Sequence, residues 1–242
     1  MVKEQDGVII LDNDISVLPI FNNYCSKCKK NLSSGGHCYQ CQQYPYESVI
    51  NLGYYFSGWF RMKDRYIRAD IKKTFDLNLV NPKYKFSKLI NDSKRRWYRN
   101  TISDKKATIK ILSKGLAWKM LKYENQIVKI IDIIVHIPKK EENPDRDDLE
   151  WNLFNHGYYY ARYCSEELAI PFKDNLIYEQ EDSRKGDRNF GISSNISIRN
   201  KNILIIDDTY TRGDTKGPIS DRLKKAGASQ VYIGVIGRSI VI

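Results

Sequence analysis

The segment Ile203–Thr215, ILIIDDTYTRGDT, constrains the fold more than any other stretch. Four apolar residues run without interruption into two adjacent carboxylates, Asp207 and Asp208. A short continuous apolar run bounded by turn residues predicts a strand buried on both faces of a parallel sheet. Downstream, Pro218 and the apolar positions Ile219, Leu223 and Ala226 have the spacing of a helix. Open parallel sheets bind ligands beyond the carboxyl ends of their strands. A helix start offers unpaired backbone N–H groups to an anion. The stretch therefore predicts a site where Asp207 and Asp208 hold a sugar diol and residues 211–215 hold a phosphate. A solvated strand end followed by an ordinary loop is the plain alternative. A Walker loop and a Rossmann fingerprint are excluded, because neither GxxxxGK[ST] nor GxGxxG occurs here.

Cys25, Cys28, Cys38 and Cys41 form CxxC, nine residues, then CxxC. Each pair can set two thiolates on one tight turn, and two such knuckles close a tetrahedral S₄ site. Zinc suits that donor set in a reducing compartment; iron–sulfur, a disulfide or no ligand are the alternatives. Four thiolates leave no open coordination position, so the expected Zn²⁺ is structural. Metal ligation would supply much of the folding energy of so small a module. His37 is expected to be a bystander, and Cys164, in a helical stretch, a small buried apolar residue.

The chain of 242 residues is long enough for one α/β core and a small satellite. No run reaches the length of a membrane span. The amino terminus has no extended apolar signal core, so cytoplasm is the expected location. Residues 61–126 hold 19 Lys and Arg against 6 Asp and Glu, a difference of +13 that exceeds the whole chain's +11. Basic and aromatic residues there, around Lys94, Arg95, Arg96, Trp97 and Arg99, fit contact with single-stranded or duplex DNA. A solvated helical surface, or a field that draws a small anion, fits them too.

Alternating patterns predict a mostly parallel sheet flanked by helices. A short strand is expected near Val8–Leu11, a strand over residues 127–137 and a helix over 149–169. Ala169–Tyr178 then lead into a second strand, a mobile loop with short strand character covers 179–200, and a strand–helix–strand unit closes the chain. Gly227 is placed to end the last helix in a left-handed cap. The expected domains are 1–45 with the Cys₄ module, 46–126 as a basic, tyrosine-rich helical or hood region, and 127–242 as the α/β core.

ILIIDDTYTRGDT resembles the diphosphoribose-binding signature of the type I phosphoribosyltransferases. The resemblance continues through LKKAGASQVYIGVIGRS, IIDIIVHIPKK and NLFNHGYYYARYCSEELAIPF. With the amino-terminal cysteines, these pieces resemble the ComF-type branch of that family. The resemblance implies a type I phosphoribosyltransferase-like α/β fold carrying a small zinc ribbon or knuckle. It implies a glycosyltransferase that moves phosphoribose from phosphoribosyl diphosphate to a nitrogen acceptor with Mg²⁺. On that basis Asp207 and Asp208 take the ribose hydroxyls and help orient hydrated Mg²⁺, while Thr211, Arg212, Gly213, Asp214 and Thr215 hold the 5′-phosphate. Lys139 and Lys140 occupy the diphosphate loop, with Lys140 facing the leaving group. Arg184, Lys185 and Arg188 lie in the lid that closes over developing charge.

The chain departs from the family pattern at Thr209, Arg212, Asp214 and the helix start Asn152–His156. His156 stands where the family has Gln and is expected to be a packing or capping group. Two classes of function compete: an Mg²⁺-dependent phosphoribosyltransferase, and a non-enzymatic or regulatory nucleic-acid-handling protein, as the family's association with DNA uptake would allow. A third makes the zinc module a docking point for a protein partner. The acceptor is not legible.

Overall fold

The computed structural model describes residues 1–5, 8–12, 15–17, 25–29, 39–56, 61–62, 65–66, 82–94, 101–138, 154–180, 189–211 and 213–240. Its centre is a four-stranded sheet of β4 (Val49–Phe56), β11 (Gln230–Ile240), β10 (Asn202–Tyr210) and β7 (Ile133–His136), in that order. Every pairing in it is parallel. β4 comes from the basic, tyrosine-rich stretch and is an edge strand of this same sheet. β1 (Val2–Gln5), β2 (Val8–Leu11) and β3 (Ile15–Ser16) form a separate antiparallel sheet. The pairs β5 (Arg61–Met62) with β6 (Arg65–Tyr66) and β8 (Ile177–Glu179) with β9 (Phe190–Ile192) are short antiparallel ribbons.

Six helices occur among the described residues: α1 (Tyr39–Gln42), α2 (Pro82–Lys94), α3 (Ile102–Tyr123), α4 (Asn125–Ile130), α5 (His156–Leu168) and α6 (Lys216–Lys225). α3 starts at a capping box: Thr101 Oγ1 accepts from the Asp104 N–H at 3.1 Å, and Asp104 Oδ2 accepts from the Thr101 N–H at 2.9 Å. Its residues Ile109, Leu112, Leu116 and Met120 recur at helical spacing and are fully buried. α6 ends as its sequence foretells. Gly227 has φ +99°, and the N–H groups of Ala228 and Gly227 reach the carbonyls of Leu223 and Lys224, each at 3.0 Å.

The core lies in two layers. Leu204 and Ile206 of β10 pack with residues of α2, α3 and α5, and with Leu11, Ile15 and Val17 of the amino-terminal sheet region. Ile203 and Ile205 pack with Ile219 and Leu223 of α6 and with Cys25, Cys28 and Cys41. A buried polar chain ties the three helices of the first layer. Cys164 Sγ donates to the Ser113 carbonyl (3.7 Å), Tyr160 OH to Ser93 Oγ (2.7 Å), and Ser93 Oγ to the Ile90 carbonyl (2.7 Å). Burial pushes the Cys164 thiol up to about 12, which leaves it an inert core group.

The strand expected over 127–137 is shorter. Residues 125–130 continue from α3 as the helical turn α4, with the Val128 N–H on the Glu124 carbonyl at 3.0 Å, and only Ile133–His136 pair with β10. An apolar run does not distinguish a strand from a helical turn leading into one. The helix expected from 149 is described from His156; Asn155 caps it by accepting from the Tyr158 N–H at 3.3 Å.

Part of the basic segment's charge is turned inward. Lys85, Lys88, Lys105 and Lys119 are buried. Lys88 pairs with Asp92, Lys105 donates to the Asp92 carbonyl, and Lys119 donates to the carbonyls of Asn51 (2.6 Å) and Leu52 (3.1 Å). Lys105 thus braces α3 against α2, and Lys119 braces α3 against β4. Arg95, Arg96, Trp97 and Arg99 lie outside the described residues.

Burial lowers the Lys105 and Lys119 ammonium groups to about 8. The unfolded chain, with lysines near 10.4, then binds more protons between those values, so stability rises with pH across that window and is lost as pH falls through the folded pKa. Urea unfolding at pH 7.5 and 9.5 should show a gain of about 1–2 kcal/mol for each of the two lysines. In Lys119→Met the gain should fall to roughly half; an unchanged gain would show that Lys119 keeps its solution pKa.

Candidate active site

β10 carries the two carboxylates past the end of its shorter neighbour. Pairing with β7 stops at Ile206↔His136, whereas pairing with β11 continues to Tyr210↔Arg238. Asp207 and Asp208 thus stand above the carboxyl end of β7, with β11 still bonded on their other side. Two helix starts each supply a basic side chain. Lys216, the first residue of α6, places Nζ 2.5 Å from Asp207 Oδ2. His156, the first residue of α5, places Nε2 3.0 Å from Asp208 Oδ2. Thr209 Oγ1 donates to Asp208 Oδ1 at 2.9 Å. The carboxylate side chains are only 15% and 12% exposed, so partners rather than water compensate much of their charge.

The ligand atoms of His156, Asp207 and Asp208 lie within 4.8 Å of one another, close enough to hold one metal ion. His136, at the end of β7, borders the same edge. Its Nδ1 lies 3.0 Å from the Ile137 carbonyl and its Nε2 lies 3.1 Å from the Asp174 carbonyl. Burial holds its pKa below the ordinary value, against the opposing pull of those two carbonyls.

The loop after β10 turns back through Gly213 at φ +96° into α6. Only glycine takes that backbone angle without strain. Among the described residues the N–H groups of Gly213, Asp214 and Thr215 donate to no backbone carbonyl. Thr215 is the residue before α6, and its side chain does not cap the helix. Open N–H groups on a glycine turn at a helix start have the polarity an anion needs. Arg238, at the end of β11, fixes the loop's entry. Its side chain is buried, donates to the Tyr210 carbonyl at 2.6 Å and to the Thr211 carbonyl, and stacks 4.7 Å from the Tyr210 ring centre.

A second cluster lies on the α6 side of the sheet. Cys25, Cys28 and Cys41 are buried, and their sulfurs lie within 4.8 Å of one another. Cys25 and Cys41 are 3.4 Å apart, far beyond a disulfide bond and near the edge, roughly 3.8 Å, of a tetrahedron with Zn–S bonds of about 2.3 Å. Three soft donors in this arrangement fit a thiolate-bound metal.

Of the residues singled out by sequence, the structure brings Asp207 and Asp208 together with the loop residues Thr211, Gly213, Asp214 and Thr215. Asp214 is exposed. Lys139, Lys140, Arg184, Lys185, Arg188, Arg212 and Cys38 lie outside the described residues. His156 corrects its expectation: Asn155 is the cap, and His156 faces the acidic pair. Lys216 and Arg238 were not anticipated. Lys216 had a signal in its position, directly after the anion loop. Arg238 had none, because strand-end arginines are ordinary.

No protein-family model and no curated protein matches the chain. Solved structures similar to it include a purine phosphoribosyltransferase from Pyrococcus horikoshii, at 22% identity and TM-score 0.35, over 51% of this chain and 68% of that one. A hypothetical protein from Neisseria gonorrhoeae with bound ppGpp is similar at 19% identity and TM-score 0.37, over 59% and 71%. A glutamine phosphoribosylpyrophosphate amidotransferase from B. subtilis is similar at 17% identity and TM-score 0.39, over 56% of this chain and 28% of that one.

Replacing Arg238 with Met should orphan the Tyr210 and Thr211 carbonyls. The buried Tyr210 carbonyl left unsatisfied costs about 1–3 kcal/mol, water can serve the carbonyl of the exposed Thr211, and losing a buried charge with no carboxylate partner among the described residues offsets part of the cost. A net loss of about 1 kcal/mol in chemical denaturation, at unchanged m-value, is expected; no loss would show that water serves the Tyr210 carbonyl as well.

Proposed function

We propose that this site binds phosphoribosyl diphosphate with Mg²⁺ and that the protein is a phosphoribosyltransferase acting on a nitrogen acceptor. One observation carries the proposal: two adjacent carboxylates near the carboxyl end of a central parallel strand lead directly into a glycine turn with open N–H groups and a helix start. That arrangement matches a ligand with a vicinal diol at one end and phosphate close by.

In this reading Asp207 and Asp208 accept from the two ribose hydroxyls. The backbone of residues 211–215 holds the 5′-phosphate. Lys216 pairs with Asp207 and turns toward phosphate oxygens when the diol takes its place. His156 orients Asp208. Lys139 and Lys140 serve the diphosphate, and Arg184, Lys185 and Arg188 close over it. The oxygens of Asp207 and Asp208 suit Mg²⁺, a hard ion that keeps several waters. When bound it would neutralise charge on the leaving diphosphate.

We further propose that Cys38 completes the cluster of Cys25, Cys28 and Cys41 around one structural Zn²⁺. The three buried sulfurs support this, since zinc takes four such ligands. Elemental analysis of protein prepared without chelator should find about one zinc per chain, falling sharply in Cys41→Ser; the absence of zinc would overturn the assignment.

Ligand that binds only the native state at 100 times its Kd adds about 2.7 kcal/mol of stability. Phosphoribosyl diphosphate with Mg²⁺ should therefore raise Tm by roughly 5–10 °C, given about 2–4 °C per kcal/mol for a chain of this size. Asp208→Asn removes charge and acceptor strength and should lose most of that shift. A wild-type Tm indifferent to the ligand would sink the proposal. Four described lysines of the basic segment are turned inward and offer nothing to a nucleic acid, while Lys110, Lys114 and Lys122 are exposed.

A further inference from the structure

The thiol cluster and the anion loop are in contact through one side chain. Tyr44 leaves the turn that follows Cys41, its N–H on the Cys41 carbonyl at 3.3 Å. Lys27, between Cys25 and Cys28 in sequence, donates to the Tyr44 carbonyl at 2.7 Å. Both halves of the cluster thus fix the backbone of Tyr44. The ring then lies against the loop. A Cβ built on Gly217 would sit 2.2 Å from Tyr44 Cδ1 and Cε1, and one built on Gly213 would sit 3.4 Å from Tyr44 Cε2. These two glycines are joined by the Gly217 N–H on the Gly213 carbonyl at 2.8 Å. The ring occupies the space a Gly217 side chain would take, whereas a Cβ on Gly213 would meet the Tyr210 hydroxyl at 2.3 Å. Beneath, Tyr46 stacks on Tyr44 with ring centres 6.2 Å apart, and its hydroxyl bonds that of Tyr210 at 2.6 Å. Tyr210 ends β10, so the aromatic layer grips the loop at both ends.

We propose that Tyr44 is a positioning residue for the anion loop, and that through it the thiol cluster sets how strongly the site holds a phosphate or diphosphate. An aromatic ring wedged against two glycines fixes the direction of the intervening N–H groups, whereas a loop without it samples other turns. Closing the thiol cluster orders the Tyr44 backbone, and opening it frees the ring. The affinity part of this proposal rests on the loop being the phosphate holder; the ordering part does not.

The test reads both. Hydrogen exchange of the full chain is followed in peptides spanning residues 211–219, with peptides from α3 and β7 as internal references. Diphosphate with Mg²⁺ is titrated calorimetrically in parallel. Tyr44→Ala should speed exchange in 211–219 at least tenfold, leave the reference peptides unchanged and weaken diphosphate about tenfold. Tyr44→Phe should match wild type, because the ring makes the contact. Cys41→Ser should reproduce Tyr44→Ala, and the double variant should be no worse than either single one. Gly217→Ala, which leaves the cluster intact and fills the space the ring occupies, should act like Tyr44→Ala and serves if that variant does not fold. Unchanged exchange at 211–219 in Tyr44→Ala or Gly217→Ala, or equal acceleration everywhere, would overturn the proposal. If wild type ignores diphosphate while the loop still responds, the phosphoribosyl reading fails and the coupling stands.

Discussion

The site depends on β10 being bonded along both edges by parallel neighbours. Such a strand cannot slide, since its register is fixed on both sides and its apolar residues are buried on both faces. Asp207 and Asp208 follow that buried run directly, so they are held where water reaches them poorly. A carboxylate in such a place needs compensation. Lys216 and His156 supply it, and each is the first residue of its helix. A first-turn residue has a backbone N–H with no partner inside the helix, so helix starts and acidic strand ends tend to meet at this edge of a parallel sheet.

The strand, the acidic pair, the glycine turn and α6 were legible because each leaves a local mark. A continuous apolar run, two carboxylates, Gly213 and the Gly227 stop are all written within about two dozen residues. The cysteine spacing was legible for the same reason, and the convergence of Cys25, Cys28 and Cys41 follows it. What was not legible came from contacts between distant segments. His156 looks like a helix-start residue until β10 is placed beside it. Arg238 looks like a solvated strand end until the loop after β10 folds over it. Tyr44 carries no motif at all; the absence of a side chain at Gly217 gives it a seat.

Charge counting shows the same limit. The excess of +13 over residues 61–126 reads as a surface field. Yet Lys88, Lys105 and Lys119 spend their charge inside, on Asp92 and on backbone carbonyls. Long lysine stems bury well, and their heads bridge elements that apolar contacts alone would leave free to slide. A basic composition is therefore an upper bound on basic surface. The distinction matters most here for Lys119, whose ammonium ties α3 to β4 at the carbonyls of Asn51 and Leu52 and so belongs to the scaffold of the sheet.

The acidic pair is compensated from two directions, and this shapes what the site can accept. Asp207 leans on α6, in the layer that also holds the thiol cluster, whereas Asp208 leans on α5 in the opposite layer. A ligand that engages one carboxylate alone would release one basic partner and leave the other pair as it was. A vicinal diol engages both at once and frees Lys216 on the side where the loop presents its N–H groups. An anion beside that diol then finds a released ammonium and a helix start together, while a neutral diol leaves the ammonium without a partner in a poorly hydrated place. On the proposed reading, a ligand that joins a diol to a phosphate gives the displaced Lys216 ammonium a new partner, which a neutral diol alone does not.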